Sequence, residues 1–360
     1  MSRIIPTLIV AVAGFGCQES SPTVGAAPAP VVKKHRWKLV TTWPKNFPGL
    51  GTAPERFAKL VGAMSGGRLE IRVYGAGEIV PALEVFDAVS QGTAEMGHGA
   101  AYYWKGKVPE AQWFATVPFG MNAREANAWL THGGGLDLWR ELYKPFGVRP
   151  FPGGNTGTQM GGWFSKEVRS LEDVSGLKMR IPGLGGEVFK RAGGVPVLLP
   201  GGEIFTSLQT GAIDATEWVG PYNDLAFGLH KAAKFYYYPG WHEPGLVLEL
   251  LVSEKALAEL SPDLVAIVEV AAQAINQDML SEYGARNSEA LEALLDQHGV
   301  QLKAFPKDVL ARFKALSEEV LDAEGQRSDI GKRIAQSYRT FQEKGRGYYQ
   351  VAEDAYQAVR

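Results

Sequence analysis

Cysteine is almost missing: the 360 residues contain one, Cys17. Without a second thiol, neither a disulfide nor a zinc-thiolate centre can carry the function. The six histidines, His35, His98, His132, His230, His242 and His298, show no metal-ligand spacing, and His242-Glu243 lacks the paired helical histidines of a zinc protease. There is no Gly-x-Ser-x-Gly elbow. Gly183-Leu184-Gly185-Gly186 matches neither the dinucleotide nor the phosphate-loop pattern, so no nucleophile or nucleotide site is identifiable. A formal charge of -2 leaves no footprint for nucleic acid. The apolar run from Ile4 to Phe15 falls short of the ~20 residues that span a bilayer.

That run has another reading. Arg3, the apolar stretch and Gly16-Cys17 resemble a secretory signal ending at a lipoprotein cysteine, so 1–17 is expected to be a signal peptide with Cys17 as its lipidation site. Gly14 stands where a lipobox carries a larger aliphatic residue, and simple cleavage and release is the alternative. Residues 18–35 are rich in Ser, Pro, Ala and Gly, the composition of a flexible linker.

At 45% hydrophobic and 21% charged, the chain can bury a sizeable core, and its length favours two domains. An internal echo points the same way. Glu203-Ile204-Phe205-Thr206-Ser207-Leu208-Gln209-Thr210-Gly211 reads as an amphipathic helix stopped by glycine. A short strand follows that delivers Glu217 and Trp218 to its carboxyl end, where open α/β sheets bind ligands. Glu84-Val85-Phe86 through Gly92 to Met96 repeats the order of acid, β-branched residue, phenylalanine and glycine. Two such units imply two similar lobes.

Strands are expected at Trp37–Thr42 and Leu69–Tyr74, with a helix from Pro54 to Met64 between them, a βαβ unit. Another strand through Met96 to Ala101 ends at Tyr102-Tyr103-Trp104, aromatics that either cap a core or line a cleft. The run from Pro152 to Phe164 holds five glycines and reads as the first crossing between lobes. Leu177 to Pro182 is a strand with Arg180 near its end, followed by a helix through Glu187 to Ala192. Leu246 to Val252 is an apolar strand returning to the first lobe. From Asp263 the pattern is helical, with a further helix over Asp308 to Ala323 and more helix interrupted near Gly325, Gly331 and Gly345. The lobes are thus expected at 36–153 plus 247–305 and at 154–246, with 306–360 as C-terminal helices that brace the hinge or pack on a second subunit.

Among polar residues, Arg180 stands out, because a guanidinium offers two parallel donors that match a carboxylate. The alternative is a surface arginine paired with Glu187 or Asp173. Glu217 and Glu243 both follow apolar or aromatic strands. They read as an acid/base pair for glycoside hydrolysis, as ligands of a hard cation, or as unrelated surface acids. Gln159 offers a neutral oxygen to a cation or hydroxyl, or simply bonds local backbone.

Five segments in order resemble the extracytoplasmic solute-binding receptors of tripartite ATP-independent periplasmic (TRAP) transporters, in their keto-acid and hydroxy-acid branch. They are Thr42 to Gly49, Ala101 to Trp104, Gly176 to Gly183, Gln209 to Trp218 and Gly240 to Pro244. The resemblance implies an α/β, two-lobe, type II periplasmic-binding-protein-like fold with a hinge and a long C-terminal helical extension. It implies a receptor rather than an enzyme, exported to the periplasm or cell surface, that closes on a monocarboxylate such as pyruvate or lactate and hands it to a membrane permease. By the same resemblance Arg180 pairs with the carboxylate, and a calcium or sodium ion bridges to it, held by Gln159, Glu217, the Trp218 carbonyl and Glu243. Tyr102, Tyr103 and Phe47 cover the ligand, Trp218 and Gln159 border it, and Asn155 reaches its second oxygen. Relatives dimerise through long C-terminal helices, which implies a homodimer here. Membrane attachment follows if Cys17 is lipidated.

Overall fold

Alternation along His35–Thr41 buries Trp37 and Leu39 on one face and leaves Arg36 in solvent, as a half-covered strand requires. In the computed structural model, 33–360 are described together with Thr7, Ile9, Ala11 and Gly14. The expected signal peptide with Cys17, and most of the linker 18–35, lie outside the described residues.

In chain order the strands are β1 (His35–Thr41), β2 (Leu69–Tyr74), β3 (Met96–Gly99), β4 (Val148–Asn155), β5 (Gly162–Phe164), β6 (Lys178–Arg180), β7 (Val195–Val197), β8 (Ala215–Thr216), β9 (Phe235–Tyr238), β10 (Val247–Ser253) and β11 (Gln301–Ala304). They form two sheets. The first has the order β2-β1-β3-β10-β4 and the second β11-β9-β5-β8-β6-β7. In the first, β1 runs parallel to β2 and β3, whereas β10 runs antiparallel to β3 and β4. In the second, β6 is parallel to both β7 and β8. Helices pack on these sheets, which makes the fold α/β with two lobes.

The chain passes from the first sheet to the second between Asn155 and Gly162 and returns between Tyr238 and Val247, so the crossing is narrower than the glycine-rich run suggested. The two passages are bonded to each other. Thr156 N–H donates to the Leu246 carbonyl at 3.1 Å and Gln159 N–H to the Glu243 carbonyl at 3.1 Å. Gly240 makes this possible, because a Cβ there would lie 2.2 Å from the Gln159 carbonyl oxygen.

The echo between Glu84 and Glu203 is real at the level of scaffold. Helix Val85–Ser90 precedes β3 and helix Gly201–Gln209 precedes β8. Three expectations need correcting. Residues 301–304, placed with the first lobe by sequence, pair in parallel with β9 and extend the second sheet. The helix expected from Glu187 begins at Gly183, because its glycines let it pack closely: a Cβ on Gly185 would lie 2.8 Å from the His242 Cβ. Gly331 and Gly345 do not interrupt the last long helix, Asp329–Tyr349. Ser328 caps it by accepting the Gly331 N–H at 3.0 Å, so that glycine sits in the first turn, where a flexible residue costs little.

The C-terminal helices tie the lobes together. Helix Pro262–Asp296 lies along β4 and against helix Pro221–Phe227. Helix Lys307–Gly325 packs on helix Gly183–Arg191 of the second lobe, and Asp329–Tyr349 packs on helices Ala123–His132 and Gly135–Tyr143 of the first. Among the described residues, no helix is long and apolar enough to cross a membrane.

One buried acid tests the core directly. Glu249 on β10 is fully buried, and its Oε1 accepts the Trp104 Nε1–H at 2.6 Å and the Tyr143 hydroxyl at 3.3 Å. Burial pushes its carboxyl up to about 8, against those two donors. Its folded pKa lies above the unfolded value, so the folded state holds a proton that the unfolded state has lost. Stability from this group therefore falls as pH rises from about 4.5 to about 8 and levels off above. Thermal melts from pH 5 to pH 9 should show Glu249→Gln gaining about 2 °C or more relative to the native protein over that range. Parallel profiles would mean that Glu249 is ionised in the fold.

Candidate functional site

Four short segments end at one place. Parallel strands β6 and β8 carry Arg180 and Glu217 at their carboxyl ends, and the two passages between the sheets carry Gln159 and Glu243. All four side chains are buried, with Arg180 and Glu217 at 0% exposure. A charged pair that far from water persists only when its polar atoms are matched.

Arg180 is matched on three sides. Nη1 pairs with Glu217 Oε1, Nη2 donates to the Tyr103 hydroxyl at 3.1 Å, and Nε donates to the Leu199 carbonyl at 3.2 Å. Its guanidinium carbon lies 5.1 Å from the Trp218 ring centroid, within cation–π range. The surface alternatives are filled otherwise. Glu187 binds Lys105 at 3.0 Å, and Asp173 accepts the Arg169 and Ser170 N–H groups. Glu217 and Glu243 are correspondingly not surface acids.

The acids are only partly satisfied. Glu217 Oε2, Glu243 Oε2 and Gln159 Oε1 are buried without a hydrogen-bond partner, as are both ring nitrogens of His242. Gln159 Nε2 donates to the Thr156 hydroxyl at 3.1 Å, which leaves its oxygen free. Donor atoms of Glu217, His242 and Glu243 lie within 4.8 Å of one another. Burial, and next the Glu217 charge, push the Glu243 carboxyl well above the usual range, while Arg180 and Tyr102 pull it down. Two carboxylates at ~4 Å repel by roughly 4 kcal/mol at an intermediate dielectric, and one guanidinium cannot neutralise both. Unpartnered oxygens of two carboxylates and an amide fit a hard cation, which takes oxygen ligands.

The first lobe closes over this cluster with aromatic rings. Tyr103 reaches Arg180, Tyr102 packs within 3.1–3.3 Å of where a Cβ on Gly183 would stand, and Phe47 lies 4.2 Å from Phe227 and 6.4 Å from Trp218, centroid to centroid. Trp43 meets both Tyr103 and Trp218 at 6.1 Å. Asn155 is fully buried; its Oδ1 accepts the Gly157 N–H at 2.8 Å, and Nδ2 has no partner. The structure thus brings together Arg180, Gln159, Glu217, Trp218, Glu243, Tyr102 and Tyr103, with Phe47 against Trp218. Asn155 lies one residue before Thr156, which holds Gln159.

His242 is not evident from the sequence, because none of the six histidines shows metal-ligand spacing. Its place beside Glu243 in an aromatic segment was the available signal. The same holds for His98, whose Nδ1 accepts the Trp43 Nε1–H at 2.8 Å while Nε2 lies 3.0 Å from the Gly153 carbonyl. A surface cleft of about 430 Å³ lies elsewhere, lined by Asn127, Arg140, Phe151, Glu269 and Asn276. Its charges, however, already pair, Arg140 with Glu269 at 3.3 Å, so the chemistry favours the buried cluster.

Residues 39–327 match the profile of the family described as bacterial extracellular solute-binding protein, family 7. The monocarboxylate 2-oxoacid-binding periplasmic protein of Nostoc sp. is 44% identical over 322 residues, 89% of this chain and 88% of that protein. A TRAP periplasmic solute binding protein from Pseudoalteromonas atlantica, crystallised with sodium and pyruvate, superposes with a TM-score of 0.89 at 43% identity, covering 91% of this chain and 100% of that one. Another from Colwellia psychrerythraea, with calcium and pyruvate, gives 0.88 at 44% identity over the same shares.

Replacing Glu217 by Gln leaves the Arg180 guanidinium buried without its counter-charge. Urea denaturation of cation-free protein should show a loss of about 3–5 kcal/mol. Arg180→Met/Glu217→Met, which removes both charges, should cost much less than the two single changes together; additive losses would contradict the pairing.

Proposed function

Because the chain belongs to the bacterial extracellular solute-binding proteins of family 7, we propose that it is the extracytoplasmic receptor of a TRAP transporter. It binds a small 2-oxo or 2-hydroxy monocarboxylate together with a sodium or calcium ion and delivers the acid to the membrane permease. The observation that carries this reading is that Glu217 and Glu243, each with an unpartnered buried oxygen, offer donor atoms within 4.8 Å of each other beside a buried guanidinium, while Gln159, its amide oxygen also unpartnered, is bonded through its backbone to Glu243. Relatives at 43% and 44% identity that hold pyruvate with sodium or calcium support it.

In this reading Arg180 turns N–H donors to the substrate carboxylate, and the fork geometry favours a carboxylate over a point anion. Glu217, Glu243, Gln159 and the Trp218 carbonyl hold the cation, which reverses the repulsion that two glutamates would exert on an anionic ligand. Asn155 Nδ2, without a partner of its own, donates to the second carboxylate oxygen. Tyr102, Tyr103 and Phe47 shut the site from the first lobe and exclude water, which strengthens every charged contact inside. Buried on all sides, the site suits a small acid.

Export to the periplasm fits this role, with Cys17 as the point of lipid attachment. The C-terminal helices form a homodimer contact in the same reading; Tyr348, Val351, Tyr356 and Val359 are exposed there, an apolar edge suited to a second copy. Relatives in this family are binding proteins.

Calorimetric titration of pyruvate into protein stripped of metal by a chelator should show affinity reduced at least about 100-fold, restored by added calcium. Unchanged affinity would overturn the bridging cation. Arg180→Lys keeps the charge but loses the fork, and should weaken binding about 10- to 100-fold, the value of a hydrogen bond to a charged group, with an unaltered circular dichroism spectrum. Undiminished binding would remove Arg180 from the carboxylate.

A further inference from the structure

His242 is 1% exposed, yet neither ring nitrogen has a hydrogen-bond partner. Buried imidazoles normally have at least one. Its Nε2 lies 3.6 Å from Glu217 Oε2, an oxygen that also has no partner. Glu243 Oε2 is unpartnered too, as is Oε1 of Gln159, whose backbone N–H donates to the Glu243 carbonyl at 3.1 Å. Donor atoms around one ion at about 2.0–2.4 Å lie roughly 3–4.5 Å apart, and the Glu217, His242 and Glu243 donors fall within 4.8 Å of each other. Trp241 packs against the ring edge to face at 5.4 Å, and Gly185 lies close against the His242 Cβ.

We propose that His242 is a nitrogen ligand of this cation site, which therefore takes first-row transition-metal divalent ions such as Mn2+ or Co2+ in addition to sodium and calcium. The inference rests on the cation site of the proposed function and adds to it. Sodium and calcium draw on the oxygens alone, whereas imidazole adds affinity for ions further along the divalent series. Two carboxylates, one imidazole and an amide oxygen make a mixed set that discriminates by ion type.

The test uses the whole exported chain with one equivalent of Mn2+ and no carboxylate. Pulsed electron paramagnetic resonance should show imidazole nitrogen coupling that calcium abolishes by displacing the manganese. His242→Asn, smaller than the native side chain and so accommodated beside Gly185, should lose that coupling while still binding calcium. Its Mn2+ affinity should fall at least about tenfold, the loss that removing even a supporting partner causes. His230 and His298 stack at 4.2 Å and are the obvious adventitious site, so His230→Ala/His298→Ala serves as the control and should keep the coupling. Bound manganese without nitrogen coupling, or coupling that survives in His242→Asn, would overturn the assignment while leaving the oxygen-ligated site intact. Failure of calcium and manganese alike to bind would overturn the cation site itself.

Discussion

The pairing of Arg180 with Glu217 at the ends of two parallel strands is the constraint around which the rest of the site is arranged. Neither group is stable in that position alone, because the desolvation penalty of a buried charge runs to several kcal/mol. Together they still leave one carboxylate oxygen free and a second acid, Glu243, close enough to be repelled. The fold therefore builds in an electrostatic deficit that an added cation and an anionic ligand remove jointly. This explains why two glutamates stand in a pocket meant for an acid. It also explains why the closing rings from the first lobe, Tyr102 and Tyr103, present hydroxyls to Arg180 and the acids rather than bare aromatic faces.

The location of the site follows from the crossing segments. Gln159 and Glu243 sit on the two passages between lobes, bonded backbone to backbone, while Arg180 and Glu217 belong to the second sheet. Movement of one lobe relative to the other thus bears on the cation ligands proposed above and not only on the walls. The C-terminal helices add a constraint from outside. Tyr283 of helix Pro262–Asp296 donates to Asn223 Oδ1 at 2.6 Å, and Asn223 Nδ2 donates to the Pro48 carbonyl at 2.9 Å, which links that helix, the second lobe and the Phe47 loop.

Much of this was legible before any coordinates. A charged residue at the carboxyl end of a short strand is a recognisable signal, and it singled out Arg180 and Glu217, both of which are fully buried. The echoed helix–strand units gave the two lobes, because their apolar positions, Val85, Phe86 and Ile204, are core residues in both. Other features depended on distant partners. Strand β11 has alternate polar residues, Gln301 and Lys303, and exists because β9 offers it an edge. Gly183 to Gly186 look like a loop in isolation, yet a helix begins there, with room for Tyr102 and His242 only because Gly183 and Gly185 carry no side chain. His242 was set aside for want of a second histidine at helical spacing, whereas its partners are acids brought in by the chain crossing.

Acid and cation should bind as one unit against Arg180, Glu217 and Glu243. Native mass spectrometry of protein purified without refolding measures this most directly. The expected spectrum carries a mass increment equal to one sodium or calcium plus one small monocarboxylate, the two lost together on activation. A population carrying the acid with no metal ion would contradict it.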